Sequence, residues 1–385
     1  MKRVQEQPLA GRSVIVVSRC AKTLHLFRRN LVHRLASAGA TVVAMGSGAD
    51  GYGERLTAEG IAFAPIPVAL RGVAPLTDLR LVWTLWREFR RRRPAVVHAF
   101  TIKPAIYATL AAALAGVPVR VVTITGLGYA FTSAGAGMNK LVNLLYRLAL
   151  ARAKRVYFQN ADDRDLFVSN GLVDNGKVRL VAGSGVDTSR FVPAVLPCES
   201  RVPLTFCMIS RLLGEKGVRE YLNAAQRIRR DYPDVKFLLV GGTDPRNPTA
   251  LAQSEVTQLG QQASAVEWIG EVDDVRPQIA RADVVVLPSY REGLPRVLLE
   301  ASAMGRALIA SDVPGCRQVV LPGVTGLLVP PADVDRLELA MRELIANPGR
   351  ISAMGAAGRA FVVEHFDEGA VIEQTIADYA LLISV

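Results

Sequence analysis

Two glutamates, Glu292 and Glu300, stand in the segment Ser289-Tyr-Arg-Glu-Gly-Leu-Pro-Arg-Val-Leu-Leu-Glu-Ala-Ser-Ala-Met-Gly305. The apolar run Asp283-Val-Val-Val-Leu-Pro288 before it reads as a buried parallel strand. Pro295 suits the first turn of a helix, where a missing N–H costs nothing. Glu292 therefore falls on the loop before a helix, and Glu300 on that helix. Two carboxylates accept hydrogen bonds from hydroxyl-rich ligands. The N–H groups between them, at Gly293 and Leu294, offer a helix start to anionic or oxygen-rich groups. The combination fits a sugar joined to a nucleoside diphosphate. A surface loop leading into an amphipathic helix is the plainer alternative.

A second cluster, Ser210-Arg-Leu-Leu-Gly-Glu-Lys-Gly217, directly follows an apolar run at 204–209. Arg211 and Lys216 are thereby set at a strand's carboxyl end, before a helix. Two fixed cations beside a helix start are what a diphosphate leaving group requires, because charge builds on it as its bond to the sugar breaks. An ordinary basic turn is the competing reading. Val240-Gly-Gly-Thr-Asp244 ends another strand, and Gly241 and Gly242 there permit a close backbone approach or a simple turn.

In the first half, Val97-His98-Ala-Phe100-Thr101-Ile-Lys103-Pro104 lies between a strand and a helix. A lone histidine is more often structural, but Thr101 and Lys103 beside it also favour a role in a cleft. Thr123-Ile-Thr125-Gly126-Leu-Gly128-Tyr129-Ala-Phe131 follows at the next strand end. Its Gly-x-Gly is no dinucleotide fingerprint, because Phe131 stands at the third glycine position and no such motif follows the first strand. The first strand ends Ser18-Arg19-Cys20-Ala-Lys22, where Arg19 is a candidate for an acceptor's diphosphate.

The elements that must carry these residues alternate from end to end. Apolar runs mark strands at 13–17, 41–44, 96–97, 120–124, 155–158 and 178–181, then at 204–209, 236–240, 266–269, 284–287, 308–310 and 326–329. Continuous rather than alternating apolarity suits parallel strands covered on both faces, and intervening helical patterns imply doubly wound sheets. Phe191-Val-Pro-Ala-Val-Leu-Pro-Cys-Glu-Ser-Arg-Val-Pro203, with three prolines, reads as a linker. The expected organisation is a Rossmann-like domain over 1–190, the linker over 191–203, a second such domain over 204–366, and a final helix over 367–385. Ligands of such sheets bind beyond the carboxyl ends of the strands, which points to the interdomain cleft.

Composition narrows the choice of function. The chain has 385 residues, half of them hydrophobic, enough for two cores. Four cysteines without CxxC spacing, and no charged region leading into a long apolar stretch at the start, favour a cytoplasmic setting. Its histidines and cysteines form no metal-ligand spacing, and neither metal nor cofactor is expected. Residues 1–190 hold 27 Lys+Arg against 11 Asp+Glu, a net of +16, whereas 191–385 carry −5. A basic first half asks for an anionic partner: a nucleic acid, an anionic membrane surface or a phosphate-bearing substrate. No nucleic-acid motif accompanies the charge. Trp83-Thr-Leu-Trp86-Arg-Glu-Phe89-Arg90-Arg-Arg-Arg93 mixes aromatics with arginines, as an interfacial membrane helix does.

The Glu-x7-Glu segment, with its Glu-Gly-Leu-Pro and Met-Gly setting, resembles the motif of retaining glycosyltransferases of family 4. The Arg211–Lys216 spacing is similar to the family's diphosphate-binding pair. The Thr-Ile-Lys-Pro and Thr-Gly-Leu-Gly-Tyr segments resemble bacterial members that extend polyprenyl-diphosphate-linked saccharides, among them N-acetylgalactosaminyltransferases. The chain departs from many members in lacking paired glycines after the first strand. The resemblance implies the GT-B fold, two facing Rossmann-like domains, with a UDP-sugar donor, an N-acetylhexosamine being one candidate. It also implies retention of configuration without a protein nucleophile, in keeping with the absence of a Ser/His/Asp or Cys/His arrangement. Arg211 and Lys216 would hold the diphosphate, Glu300 the ribose, and Glu292 with Gly293 and Leu294 the sugar, while Gly241 and Gly242 would also bind the donor, at the family's Gly-rich strand end. His98 would orient the sugar near the acceptor, and Thr101, Lys103 and Arg19 would meet the acceptor. The expected setting is the cytoplasmic membrane surface, in O-antigen, capsule or glycan assembly. The alternatives are a UDP-N-acetylglucosamine 2-epimerase-like enzyme, a transferase with a soluble acceptor, a solute-binding protein and a basic nucleic-acid binder.

Overall fold

The computed structural model describes residues 7–69, 74–126, 136–193, 203–243, 247, 249–256 and 266–384. The first elements are β1 (Ser13–Cys20), α1 (Ala21–Ser37), β2 (Thr41–Ser47), α2 (Tyr52–Ala58), β3 (Phe63–Pro65), α3 (Pro75–Arg92) and β4 (Val96–Phe100). Then come α4 (Ile102–Leu114), β5 (Val119–Ile124), α5 (Ala136–Arg152), β6 (Arg155–Phe158), α6 (Ala161–Ser169) and β7 (Val178–Leu180). The chain continues with β8 (Thr205–Ile209), α7 (Val218–Asp231), β9 (Lys236–Val240), β10 (Val266–Gly270), α8 (Arg276–Arg281), β11 (Val284–Leu287) and α9 (Arg296–Ala303). It ends with β12 (Ala307–Ser311), α10 (Pro314–Arg317), β13 (Gly326–Val329), α11 (Val334–Ala346), α12 (Pro348–His365) and α13 (Glu368–Ser384). The chain divides into two units, Met1–Ser184 with Gly369–Val385, and Gly185–Glu368. Residues 194–202 of the expected linker lie outside the described residues.

The first unit holds a parallel sheet in the order β3-β2-β1-β4-β5-β6-β7. Alternate residues of its central strands serve opposite faces. Ile15 and Val17 pack with Leu81, Leu85 and Phe89 of α3 and with the alanines of α4. Val14 and Val16 pack with Leu24 and Leu35 of α1 and with Ile372, Ile376 and Tyr379 of α13. Burial on both faces removes any need for polar alternation, which is why these strands read as unbroken apolar runs.

The second unit holds a parallel sheet in the order β10-β9-β8-β11-β12-β13. Phe206, Met208, Val284, Val286, Ala307 and Ile309 pack beneath Tyr221 and Ile228 of α7 and Leu337 and Met341 of α11. In both sheets the chain winds outward one way and then the other. The reversal falls between β1 and β4 in the first and between β8 and β11 in the second. Loops beyond the carboxyl ends of the strands flanking such a reversal are where open α/β sheets take their ligands.

β1 and β2 each run three residues beyond the expected ends, to Cys20 and Ser47, and two further differences have a local cause. β3, Phe63-Ala-Pro65, lies at the sheet edge and ends on a proline, which an edge strand tolerates but which hides it as a strand signal. β4 runs on to Phe100, so His98 is the strand's third residue and not part of the loop beyond it. The imidazole interrupts the apolar pattern that would have extended the strand.

Candidate active site

In the second unit the loops after β8 and β11 are brought together by glycine. Gly217 closes the 3-10 turn Gly214–Lys216 at φ 75°, and a Cβ there would sit 2.1 Å from the Pro288 carbonyl oxygen. Tyr290 N–H donates to the Glu215 carbonyl at 2.9 Å across the same junction. This close approach brings Lys216 Nζ to 2.5 Å from Glu292 Oε1, with the lysine side chain 18% and the glutamate 13% exposed. Glu292 is fixed on its other side, where its carbonyl accepts from Gly315 N–H at 3.2 Å. Gly315 is also obligatory, since its Cβ would stand 2.6 Å from the Gly293 oxygen.

Arg211 is exposed in the loop after β8. Its carbonyl accepts from Leu213 N–H at 2.8 Å, and Leu212 N–H donates to Gly242 O at 3.1 Å. At Gly241, φ 142°, a Cβ would lie 1.8 Å from the Ser210 carbonyl oxygen. Gly241 thus lets the Arg211 loop lie against the end of β9, whereas a Cβ on Gly242 would meet the Glu271 side chain at 3.0 Å. Asp244 of that motif is outside the described residues.

Pro295 caps α9, and Glu300 stands one turn in. Arg296 Nε donates to Glu300 Oε1 at 2.8 Å. Burial pushes the Glu300 carboxyl above its ordinary pKa; Arg296 and Arg190 oppose that shift, and Asp274 adds to it. Arg296, Arg190 and Asp274 escaped the sequence reading. The four-residue spacing from Arg296 to Glu300 was a legible signal, since such pairs meet on a helix. Arg190 and Asp274, distant in sequence, gave none. Gly293 and Leu294 are half-buried on the loop between the two glutamates.

In the first unit Arg19 is exposed at the end of β1, beside Lys22, whose N–H donates to Asp50 Oδ2 at 2.9 Å. Thr101 follows β4 with φ 72° and ψ 163°, a conformation nearly restricted to glycine. Lys103 Nζ is 2.8 Å from Asp78 Oδ1, and Tyr107 OH donates to Asp78 Oδ2 at 3.2 Å. Burial, and then the Asp78 charge, push the Tyr107 hydroxyl up to about 12. Lys103 therefore ties α4 to the first turn of α3. His98 is 2% exposed, with Nδ1 bonded to Tyr379 OH and Nε2 2.6 Å from Thr123 Oγ1. Burial, reinforced by the Arg28 charge, holds this imidazole well below its usual pKa. Next to Tyr379, the buried Asp378 accepts from Tyr157 OH at 2.5 Å and pairs with Arg179 at 3.0 Å. Gly128, Tyr129 and Phe131 lie outside the described residues.

The structure thus brings Lys216 and Glu292 into contact, sets Arg211 on the same loop as Lys216, and sets Glu300 on the helix that follows Glu292. Residues 203–347 match the family described as glycosyl transferases group 1, and residues 25–183 match the glycosyl transferase 4-like domain. The chain is similar to the N,N'-diacetylbacillosaminyl-diphospho-undecaprenol alpha-1,3-N-acetylgalactosaminyltransferase of Campylobacter jejuni. The two are 27% identical over 292 residues, 72% of this chain and 75% of that one. It is 32% identical over 310 residues to the alpha-maltose-1-phosphate synthase of Mycolicibacterium smegmatis, covering 74% of this chain and 78% of the relative. Among solved structures, Anabaena Alr3699/HepE in complex with UDP superposes with a TM-score of 0.75 at 17% identity, over 95% of this chain and 99% of that one. The chain belongs to the group 1, 4-like glycosyltransferases of GT-B fold, and it is a hexosyltransferase.

Proposed function

We propose that this hexosyltransferase moves a sugar from a UDP-sugar to a polyprenyl-diphosphate-linked saccharide, with retention, in surface polysaccharide or glycan assembly. The observation that carries the reading is the Lys216–Glu292 contact at the strand-order reversal of the second unit. It joins a cation suited to a diphosphate with a carboxylate suited to sugar hydroxyls. Arg211 and Lys216 hold the diphosphate, Glu292 with the Gly293 and Leu294 amides positions the sugar, and Glu300 accepts from the ribose hydroxyls. Gly241 acts indirectly, by making room for the Arg211 loop, and Gly242 by accepting from Leu212 N–H of that loop.

The reaction breaks the bond between C1 and the diphosphate oxygen. The acceptor hydroxyl oxygen bonds to C1 on the same face, and its proton passes to the departing diphosphate. The residues' task is to hold the acceptor hydroxyl beside the departing diphosphate, on the face of the sugar that it leaves, and to stabilise charge on the leaving group. Arg19, Lys103 and Thr101 are assigned to the acceptor side. His98, with both nitrogens committed to Tyr379 and Thr123, serves as an anchor for α13 and not as a sugar contact.

An N-acetylhexosamine donor and a lipid-linked acceptor find support in the name of the Campylobacter relative. The acceptor's lipid sets the reaction at the cytoplasmic face of an anionic membrane. A soluble acceptor is the second reading, favoured by the similarity to a maltose-1-phosphate synthase. A panel of nucleotide sugars offered with membrane lipid extract tests the choice. Labelled sugar should enter the organic phase from a UDP donor. Labelled product confined to the aqueous phase would favour the soluble acceptor.

A further inference from the structure

Helix α3 buries Leu81, Leu85 and Phe89 against the sheet, yet turns a second apolar row outward. Leu76, Leu79, Trp83 and Trp86 are 85%, 68%, 54% and 36% exposed. At 3.6 residues per turn these four side chains fall within roughly 80° of arc. A packed helix needs one apolar stripe, and the inner row already supplies it. The outer row is therefore unexplained by the fold of this unit.

The residues beside that row are basic. Arg80, Arg87 and Arg90 are exposed on the same side of the helix, and the Arg87 guanidinium lies 4.9 Å from the Trp83 ring centre. Arg91 and Arg92 differ, being held to Glu88 at 2.6 and 2.9 Å. On the same side of the sheet, α4 packs against both α3 and α5, and α5 exposes Leu141, Leu144 and Leu148 near Lys140 and Arg147. Tryptophan and leucine flanked by arginine is the composition of a helix lying in a lipid headgroup region. No helix among the described residues is long and apolar enough to cross a membrane.

We propose that the outer face of α3 lies in the headgroup region of an anionic bilayer, with Leu76, Leu79, Trp83 and Trp86 inserted and Arg80, Arg87 and Arg90 on the lipid phosphates. This deepens the lipid-linked acceptor reading, on which the biological reason for docking rests. Charge complementarity selects anionic lipid over a second copy of the chain, whose matching face would be equally basic. The inserted row, and not the Arg90–Arg93 cluster alone, supplies the hold.

The test is sedimentation of the full chain with vesicles of phosphatidylglycerol and phosphatidylethanolamine, against pure phosphatidylcholine. The proteins are the wild type, Leu79→Glu, and the double variant Trp83→Ser with Trp86→Ser. Wild type should pellet with the anionic vesicles, less so at high salt because screening shortens electrostatic reach. Each surface variant should lose on the order of tenfold in partition, the cost of withholding an apolar side chain from the interface. These positions are exposed, so circular dichroism melting should be unchanged. In the wild type, brominated acyl chains should quench the fluorescence of Trp83 and Trp86. Wild-type partition by both variants, or absent quenching, overturns the proposal. So does loss of self-association in the variants with vesicle binding intact, which would assign the face to a second copy. Transfer to a short, water-soluble polyprenyl-diphosphate acceptor separates the two readings. Variants that lose vesicles but keep this transfer support docking, whereas no transfer by any of the proteins, with docking intact, counts against the acceptor alone.

Discussion

Lys216 Nζ and Glu292 Oε1 meet at 2.5 Å although 76 positions separate them in the chain. The contact depends on Gly217, whose missing side chain leaves room for the Pro288 carbonyl. It closes the gap between the two strands at which the second sheet reverses its order. A cation and a carboxylate held this way are organised before substrate arrives, so little reorganisation remains for the reaction itself.

Removing the cations should therefore cost turnover more than folding. Arg211→Ala is expected to lower kcat on the order of 10²–10³-fold, the usual loss for one preorganised electrostatic contact. Its melting curve should match wild type, because Arg211 is exposed. Near wild-type kcat in a folded Arg211→Ala protein would falsify the diphosphate role.

The two glutamates should separate by what they bind. Glu300→Gln weakens binding of free UDP, whereas Glu292→Gln spares UDP and impairs transfer. Titration calorimetry of both variants decides it, and the opposite pattern would reverse the assignment. Ionised Glu300 is the better acceptor, and its pKa is raised by burial. UDP affinity should accordingly decline as pH falls through that raised value, sooner than an ordinary glutamate near 4.3 would allow. Arg296→Met removes the nearest opposing charge and should move the decline to still higher pH. An unchanged pH profile in that variant contradicts the pairing as a determinant.

Gly217→Ala should destabilise the second unit by about 2–4 kcal/mol, since it combines a positive φ with a backbone collision. Urea unfolding measures this directly. A loss under about 0.5 kcal/mol would mean that the two loops can separate at little cost.

His98 offers a stability prediction. Its folded-state pKa is depressed, so below the ordinary histidine value near 6.5 the unfolded chain binds a proton that the folded chain refuses. Stability is full above that pH and falls as pH drops, by up to about 1.4 kcal/mol per unit. His98→Gln should remove this component. Urea midpoints at pH 7.5 and 5.5 for the two proteins reveal it; equal slopes would place the proton uptake elsewhere.

The parallel sheets were legible because their strands are covered on both sides, leaving runs such as Val284-Val-Val-Leu287 unbroken by polar residues. Pro65 concealed β3, and the imidazole of His98 concealed the end of β4, since each breaks the apolar pattern for a local reason. The order of Arg211, Lys216, Glu292 and Glu300 along the loops was readable from strand–loop–helix spacing. The Lys216–Glu292 contact was not, because it depends on Gly217 and on strand order in space. The partners of His98 were equally hidden: Tyr379 comes from the last helix, 281 positions away.

Retaining transfer to a lipid-linked saccharide is tested by following UDP and sugar in one reaction. Purified protein is given a UDP-sugar with and without a defined polyprenyl-diphosphate-linked saccharide, and the product's anomeric configuration is read by NMR. UDP should be released only with the acceptor, in equal amount to the sugar transferred, and the new linkage should keep the donor's configuration. UDP release or sugar isomerisation without acceptor, or an inverted linkage, would contradict the account.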